Sequence, residues 1–477
     1  MGQEIDQTRF ARRDFEKFYS CLSDETDYLA DLIRNNGLSK REAVAGFEIE
    51  AWLVNPDMQP APDNEAFLKR LNNPLASAEL ARFNVELNNN PVDLSGTVLG
   101  TMHRDLEKFT ATVRRTARDM NLCIVMIGIL PTLRQNQLTL ANMSGLNRFR
   151  ALNEQIFQAR EGRPAHIEIG GREHLKIEHC DVMLESAATS FQIHLQTPLA
   201  SAHHFYNASI IASAPCVAVG ANSPYLFGRD LWAETRIPLF EQAIEAGGYN
   251  GVAHGPLRRV SFGSDYARKS ILECFRENLD HFPILLPIPF DSKRESMQTL
   301  RLHNGTIWRW NRPLIGFDED GTPHIRIEHR VIPAGPSLRD MLANAAFFYG
   351  LVHYLKLEKV VPEPLLPFHL AKDNFYRCAR YGLDATITWL DGEKVRLKDL
   401  LLGELIPNAL SGLERFGIRA SEAGQYLGII RKRVESGRNG STWQRLYVSN
   451  HDGDLTAMTA VYHKNQWSDQ PVHRWAL

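Results

Sequence analysis

The sequence contains few cysteines, and no two of them are close together. Its six cysteines are spread over 477 residues at these positions: Cys21, Cys123, Cys180, Cys216, Cys274 and Cys378. Without a CxxC motif, the chain carries neither the usual zinc-binding signature nor a dithiol redox signature. Such sparse cysteines are typical of a reducing cytosol, where we expect them to be buried or inert thiols.

Long apolar runs, a large net charge and a secretion signal are also missing. The two most apolar runs, 122–130 and 210–221, are too short to cross a bilayer, and Pro215 interrupts the second one. Residues 1–21 are charged and lack the apolar segment of a signal peptide. The net charge of −2 gives no general attraction to nucleic acid or to membranes. We therefore expect a soluble cytoplasmic protein that has neither as a partner.

Glycine-rich phosphate-binding motifs are absent. The chain has no GxxxxGK[ST] loop, and no GxGxxG follows an apolar strand, so any ATP must be held by another kind of site. With 44% hydrophobic and 23% charged residues, the composition is that of an ordinary globular protein. We see no repeat, low-complexity tract or long linker. We therefore expect one domain over 1–477, with a sheet-rich core at 43–335 and a mainly helical part at 336–477.

The most informative stretch is 46–54, in which apolar and acidic residues alternate. In a strand, residues 47, 49, 51 and 53 form an apolar face, while Glu48, Glu50 and Trp52 lie on the other face. Two carboxylates on one face repel each other unless a cation lies between them, and Mg²⁺ prefers carboxylate oxygens. The common alternative is a half-exposed strand whose glutamates are solvated.

Three further segments alternate in the same way, and their polar faces also carry potential ligands. These faces contain Asn84, Glu86 and Asn88; Gln192, His194 and Gln196; and Arg326, Glu328 and Arg330. A fifth strand is predicted over 305–312, ending at Pro313, and a helix is predicted over about 201–212. Helices and strands mix without regular βα alternation, so we predict an α+β fold with a curved, largely antiparallel sheet. Its apolar face would pack on helices, and its polar face would line a cavity.

Several glutamates and one histidine around a cavity form an oxygen-rich site suited to two or more Mg²⁺ or Mn²⁺ ions. An arginine beside a glutamate ligand can bind phosphate through two parallel hydrogen bonds. Together these groups are typical of phosphoryl transfer. The simpler alternatives are that His194 is a hydrogen-bonded core residue, that Arg330 forms a structural ion pair, and that Arg236 is an exposed helix residue.

Seven short segments, taken in chain order, carry a family resemblance. They are 46–50 (GFEIE), 84–87 (NVEL), 192–194 (QIH), 221–224 (ANSP) with 228–230 and Arg236, 306–308 (TIW) with 312–313, 327–330 (IEHR) and 377–384 (RCARYGLD). The chain thereby resembles the glutamate–cysteine ligase type 2 group of carboxylate–amine ligases, which have a glutamine synthetase-like catalytic fold. It departs from that group at 331–333, where an Asp often follows the ExR strand, and in the extra sequence at 161–180. The stretch 437–445 is expected to be an ordinary surface loop, with a phosphate cradle as the alternative.

The resemblance implies an ATP-dependent ligase, possibly a glutamate–cysteine ligase, that joins an amino-acid carboxylate to an amine through an acyl phosphate and acts as a homo-oligomer. It implies Mg²⁺ or Mn²⁺ held by Glu48, Glu50, Glu86, His194 and Glu328. The implied catalytic residues are Arg330, Glu50 and His194; the ATP contacts are Arg312, Arg330 and Gln192; and the substrate contacts are Arg236, Trp52 and Asn88. The alternatives are a guanidino phosphotransferase, a metallohydrolase and a non-catalytic nucleotide- or metal-binding protein.

Overall fold

The structure is a computed structural model that describes residues 8–41, 43–245, 258–357 and 362–477. Its strands, in chain order, are β1 (Val44–Val54), β2 (Ala76–Ala78), β3 (Asn84–Asn88), β4 (Val92–Asp93), β5 (Cys123–Val125), β6 (Ala165–Gly170), β7 (His174–His179), β8 (Phe191–Thr197), β9 (Tyr225–Leu226), β10 (Arg229–Asp230), β11 (Val260–Ser261), β12 (Trp308–Arg309), β13 (Asn311–Phe317), β14 (Pro323–His329), β15 (Thr386–Thr388) and β16 (Lys394–Arg396).

The four predicted polar strands are neighbours in one antiparallel sheet. The strand order is β13-β14-β8-β1-β3-β2, and β4 and β5 also pair with β1. In the register, Glu50 lies opposite Glu86, Glu48 lies opposite Gln192, and Glu328 lies opposite His194. The polar residues of four sequence segments are thus gathered on adjacent strands, as the alternating patterns predicted.

Helices surround this sheet and make up most of the chain after residue 337. They are α1 (Arg12–Arg34), α2 (Asn64–Leu71), α3 (Val98–Arg118), α4 (Asn147–Ala159), α5 (Ala202–Gly220), α6 (Arg236–Ala243), α7 (Leu272–His281), α8 (Gln298–Gly305), α9 (Leu338–Leu357), α10 (Phe368–Tyr381), α11 (Leu397–Leu400), α12 (Ile406–Arg415), α13 (Ala420–Ser436), α14 (Gly440–Asn450) and α15 (Leu455–Gln466).

The apolar side of the sheet packs on buried helices. Ile49, Ile193 and Ile327, from three adjacent strands, are fully buried in the core. α5 and α9 pack against each other and are apolar around almost their whole circumference, as expected for helices enclosed by protein. The Tyr349 hydroxyl on α9 donates to backbone carbonyl oxygens of β1 and β8. The sheet is therefore held from its apolar side, which leaves its polar side for a cavity.

The predicted bounds of two elements are wrong because tertiary packing outweighs the tendency of proline to end a helix or a strand. α5 continues through Pro215 to Gly220 although a helix was expected only to about residue 212, and burial on all sides compensates for the hydrogen bond that proline removes. The predicted strand over 305–312 is divided, because Gly305 ends α8, β12 pairs with β11 in a separate sheet, and β13 begins at Asn311 and continues past Pro313 to Phe317. Because β13 is an edge strand that pairs only with β14 in this sheet, Pro313 takes no N–H away from a second neighbour.

The stretch 437–445 is not a surface loop, so that expectation is wrong. Gly437 ends α13 in the left-handed region at φ +64°, and α14 begins at Gly440. The Asn439 side chain caps α14 by accepting from the Thr442 N–H at 2.9 Å. Trp443 and Gln444 are fully buried, so this stretch joins the C-terminal helices to the core.

The six cysteines are free thiols. Cys216, Cys274 and Cys378 are buried, whereas Cys180 is exposed. Within the described ranges, no helix is both long and apolar enough to cross a membrane.

Candidate active site

Glu50 lies at the centre of the polar side of the sheet and is nearly buried. One of its oxygens accepts from the Ser190 backbone N–H at 2.6 Å, and the other accepts from the Gln192 amide at 2.7 Å. The Gln192 amide oxygen in turn accepts from Arg330. A hydrogen-bonded path therefore connects Glu50 on β1 to Arg330 at the end of β14. Burial raises the pKa of Glu50, although the Arg330 charge opposes this effect.

Glu328 holds two arginines at once. Arg330 Nη1 lies 2.8 Å from one oxygen of Glu328, and Arg312 Nη2 lies 3.1 Å from both oxygens. Burial alone would raise the pKa of Glu328, but the two guanidinium charges outweigh burial and hold it well below its usual range. The predicted arginines thus lie side by side, anchored by one ionised carboxylate.

His194 on β8 lies between Glu48 and Arg326. Its Nε2 atom is 3.4 Å from Glu48 Oε1, and its Nδ1 atom accepts from Arg326 Nε at 3.2 Å. Since Nδ1 accepts, the proton of a neutral ring lies on Nε2, which is buried, lies 3.4 Å from Glu48 Oε1 and forms no well-aligned hydrogen bond with any described residue. In this arrangement His194 offers an N–H donor. Burial raises the pKa of Glu48, but the interaction with His194 outweighs burial and lowers it.

Glu86 on β3 has one occupied and one free carboxylate oxygen. Oε1 accepts from Ser77 Oγ at 3.1 Å and from the Asn88 amide at 2.8 Å. Oε2 is buried and has no partner in the described part of the chain. Burial and the negative charges of Glu48 and Glu79 raise the pKa of Glu86 well above its usual value. A cation beside Glu86 would relieve this repulsion.

A cavity opens at Glu50 and Arg330, whereas Glu48, Glu86, His194, Glu328 and Arg312 are not among its lining residues. Its charged and amide lining comprises Glu50, Glu79, Asn84, Glu185, Arg236 and Arg330. Arg236 is not the exposed helix residue of the simpler alternative, because only 2% of its surface is accessible. Its Nε atom lies 3.2 Å from Glu234, and one Nη donates to the backbone carbonyl oxygens of Arg330 and Val331.

Two cavity carboxylates, Glu79 and Glu185, were not predicted from the sequence. Burial and the negative charge of Glu50 raise the pKa of each to about 7. Glu79 follows the short strand β2, and Glu185 lies in the 3₁₀ helix Val182–Ala187. Neither belongs to an alternating strand pattern, so the signal that identified the other glutamates does not mark them.

Two predicted substrate contacts lie away from the cavity lining. Trp52 is fully buried, its indole N–H donates to Ile127 O at 3.2 Å and to Thr189 Oγ1 at 3.1 Å, and its ring stacks on Phe83. This packing leaves no surface of Trp52 for a ligand. The Asn88 amide is bonded to Glu86, so Asn88 supports a carboxylate of the site.

The donor chemistry fits a hard divalent cation, although no ready-made ligand set is present. Among the described residues, no three His, Cys, Asp or Glu side chains are grouped as they would be around a metal ion. The unpartnered oxygen of Glu86 and the raised pKa values of Glu50, Glu79 and Glu86 nevertheless mark a region with an excess of buried carboxylate oxygens. Mg²⁺ and Mn²⁺ prefer such oxygens.

Two similar curated proteins come from mycobacteria, and both are named as putative glutamate–cysteine ligase 2 proteins. The one from Mycobacterium ulcerans (strain Agy99) is 32% identical over 149 residues, which are 30% of this chain and 36% of that protein. The one from Mycobacterium sp. (strain KMS) is 25% identical over 277 residues, which are 56% of this chain and 61% of that protein. The matches thus span between about a third and three fifths of these relatives.

Two solved structures share the fold. Glutamate–cysteine ligase from Francisella tularensis, in complex with AMP, has a TM-score of 0.54 at 12% identity and covers 91% of both chains. A bifunctional glutathione synthetase from Pasteurella multocida has a TM-score of 0.52 at 11% identity and covers 93% of this chain and 54% of that one. The predicted α+β, glutamine synthetase-like architecture is confirmed.

The sequence family described as glutamate-cysteine ligase family 2 (GCS2) matches residues 44–461, which include every strand of the main sheet. This range also contains Glu48, Glu50, Glu86, Glu328 and the arginines around them. The chain therefore belongs to glutamate-cysteine ligase family 2.

Proposed function

We propose that the protein is an ATP-dependent carboxylate–amine ligase that forms an amide through an acyl phosphate, with glutamate and cysteine as the first candidate substrates. The main support for this proposal is a series of contacts. Gln192 is hydrogen-bonded to both Glu50 and Arg330. Arg330 and Arg312 both contact the carboxylate of Glu328. These contacts join carboxylates to paired guanidinium groups, and two of the residues involved, Glu50 and Arg330, line the cavity. Positioning and charge neutralisation of this kind are what phosphoryl transfer requires.

Glu50, Glu79 and Glu86 would hold Mg²⁺, because they share the excess of buried negative charge. When bound, Mg²⁺ supplies positive charge to the phosphates of ATP. Glu48 and Glu328 are further candidate ligands, but both oxygens of Glu328 already contact Arg312, so ligation by Glu328 requires that contact to open. The AMP in the Francisella structure supports a nucleotide site in this fold.

The side chains of this protein have distinct roles in the proposed reaction. Arg330 and Arg312 bind the transferring phosphoryl group, and His194 donates its Nε2 proton to a phosphate oxygen instead of ligating the metal. An oxygen of the substrate carboxylate attacks the γ-phosphorus, and the bond from that phosphorus to ADP breaks. The amine nitrogen then attacks the acyl carbon, phosphate leaves, and the nitrogen loses a proton. Arg236 holds a carboxylate of the substrate that forms the acyl phosphate.

The test is phosphate release from Mg²⁺-ATP by the purified full-length chain, supplied with pools of amino acids and amines that are omitted in turn. The proposal predicts release that requires one carboxylate and one amine, and loss of that release in Glu50→Gln. Glu168→Gln is the matched control, because Glu168 is exposed on the β6–β7 hairpin.

Other outcomes would point to the remaining candidate functions. Release with a single acceptor that becomes phosphorylated would identify a phosphotransferase. Turnover without ATP would identify a metallohydrolase. Tight ATP binding without turnover of any pool would identify a binding protein, and each of these results would reject the ligase.

A further inference from the structure

Glu185 differs from the other carboxylates beside the cavity. It projects from the 3₁₀ helix Val182–Ala187 instead of from the sheet, and it lines the cavity together with Glu50 and Arg330. Within the described ranges, its carboxylate forms no hydrogen bond and no ion pair. Neither of its oxygens is among the buried atoms that lack a partner, so both are open to the cavity.

Three sheet carboxylates, in contrast, are already bound by protein groups, and Glu86 is bound at one of its two oxygens. Glu50 accepts hydrogen bonds on both oxygens, Glu328 holds two arginines, and Glu48 faces His194. The Arg330 charge acts on Glu185, but no ion pair forms between them. Because a half-buried carboxylate without an ion pair is costly, Glu185 points to a positively charged ligand.

The surroundings of Glu185 suit an organic cation better than a bare metal ion. Leu80, Ala188 and Phe240 contribute apolar surface to the same cavity wall. Asn84 also lines the cavity, is only 2% exposed, and has neither its amide oxygen nor its amide nitrogen bonded to any described residue. Apolar surface, one amide and one free carboxylate form the kind of site that binds an ammonium group attached to a short carbon chain.

We propose that Glu185 and Asn84 form the subsite for the ammonium group of the amine substrate, and that Leu80 and Phe240 contact its carbon chain. This proposal rests on the proposed ligase function and names how the second substrate is recognised. Arg330 lines the same cavity, so an amine held here lies beside the place proposed for the acyl phosphate. Glu185 is then a determinant of acceptor specificity.

The first test measures binding without turnover. Calorimetry with the full-length chain uses n-butylammonium chloride as the cationic probe and n-butanol as its neutral analogue. Wild-type protein should bind the cation, and Glu185→Gln should weaken that binding about tenfold or more, because a charge-assisted contact is lost. Binding of n-butanol should not change. Equal affinity of wild type and Glu185→Gln for the cation would overturn the proposal.

The second test separates this subsite from a metal site and from the proposed function. In steady-state assays, Glu185→Gln should raise the KM of the amine about tenfold or more while the Mg²⁺ concentration at half-maximal activity stays unchanged. Glu185→Asp, which keeps the charge, should restore part of the amine affinity, and Glu168→Gln should behave as wild type. A changed Mg²⁺ requirement with an unchanged amine KM would overturn the proposal. If wild type shows no turnover, the ligase function is rejected, and the calorimetric comparison of wild type with Glu185→Gln alone tests the cation subsite.

Discussion

Glu234 and Arg236 form an ion pair that is shielded from water, with 3.2 Å between Glu234 Oε1 and Arg236 Nε and at most 2% of either side chain exposed. Glu234 also accepts from the Asn222 backbone N–H at 2.8 Å and from Ser223 Oγ at 2.7 Å. One carboxylate thus joins the Ala-Asn-Ser-Pro segment to the arginine that lines the cavity. Both sequence features were part of the family resemblance, and Glu234 holds them in contact in this chain.

Removing the charge of Glu234 should destabilise the protein and weaken substrate binding. Glu234→Gln leaves the buried Arg236 guanidinium without its anion, which typically costs about 3 kcal/mol. Urea denaturation should show this loss of unfolding free energy, and kinetics should show a raised KM for the carboxylate substrate. Glu173→Gln is the control, since Glu173 pairs with Arg229 at the surface and should change stability by less than about 1 kcal/mol. Equal stabilities of the two variants would refute this role.

Arg330 should be required for the chemical step. Arg330→Lys keeps one positive charge but cannot contact Gln192 and Glu328 in the planar geometry of a guanidinium group. We expect kcat to fall about 100-fold or more, as when one group that stabilises transition-state charge is removed. Arg229→Lys, at an exposed arginine, should leave kcat unchanged. A normal kcat for Arg330→Lys would show that the Arg330 guanidinium group is not needed for phosphoryl transfer.

The protein should lose stability in mild acid, in part through His303 on α8. Burial lowers the pKa of His303 from 6.5 to about 4, and its Nε2 lies 2.9 Å from the Asn278 carbonyl oxygen. The unfolded chain therefore binds a proton that the folded chain excludes, so stability is full above about pH 6.5 and falls as the pH drops toward 4. Compared with wild type, His303→Gln should lose up to about 3 kcal/mol less unfolding free energy as the pH falls from 7 to 4. Parallel stability curves for the two proteins between pH 7 and pH 4 would contradict the prediction.

Gly350 lies on α9 where this helix packs closely against α12, so we expect that no side chain fits at this position. A Cβ atom there would lie 2.1 Å from the Ala409 carbonyl oxygen, which is backbone and cannot move cheaply. Gly350→Ala should therefore destabilise the protein by about 1–3 kcal/mol or more in urea denaturation. Gly424→Ala is the matched control, since Gly424 lies in α13 with open space around it and should gain about 0.5–1 kcal/mol in helix propensity. Equal effects at both glycines would show that helix propensity decides the result at Gly350.

Much of the sheet was predictable because its strands alternate cleanly. One face of each strand is buried and the other carries polar ligands, so a period of two identified β1, β3, β8 and β14 before their pairing was known. The ends of α5 and β13 were not predictable, since local proline rules take no account of burial or of an edge position.

Alternation alone predicted the site only where its residues lie on those strands, whereas Arg236 on α6 was named through the family resemblance. Glu48, Glu50, Glu86, Glu328 and His194 occupy polar strand positions that the sequence pattern displays. Glu79 and Glu185 reach the cavity from non-periodic segments, so only the three-dimensional structure brings them to Glu50. Trp52 was assigned to the polar face by alternation, but indole stacking and hydrogen bonds enclose it in the core.

In the proposed ligase reaction, a substrate carboxylate is phosphorylated before the amine attacks it. The most direct measurement uses the carboxylic acid identified in the omission assay, with ¹⁸O in its carboxylate group, and mass spectrometry of the phosphate released from Mg²⁺-ATP. Because the carboxylate oxygen bonds to phosphorus and leaves with it, we predict one ¹⁸O atom in each phosphate. Unlabelled phosphate from a reaction that still forms the amide would contradict the acyl-phosphate route.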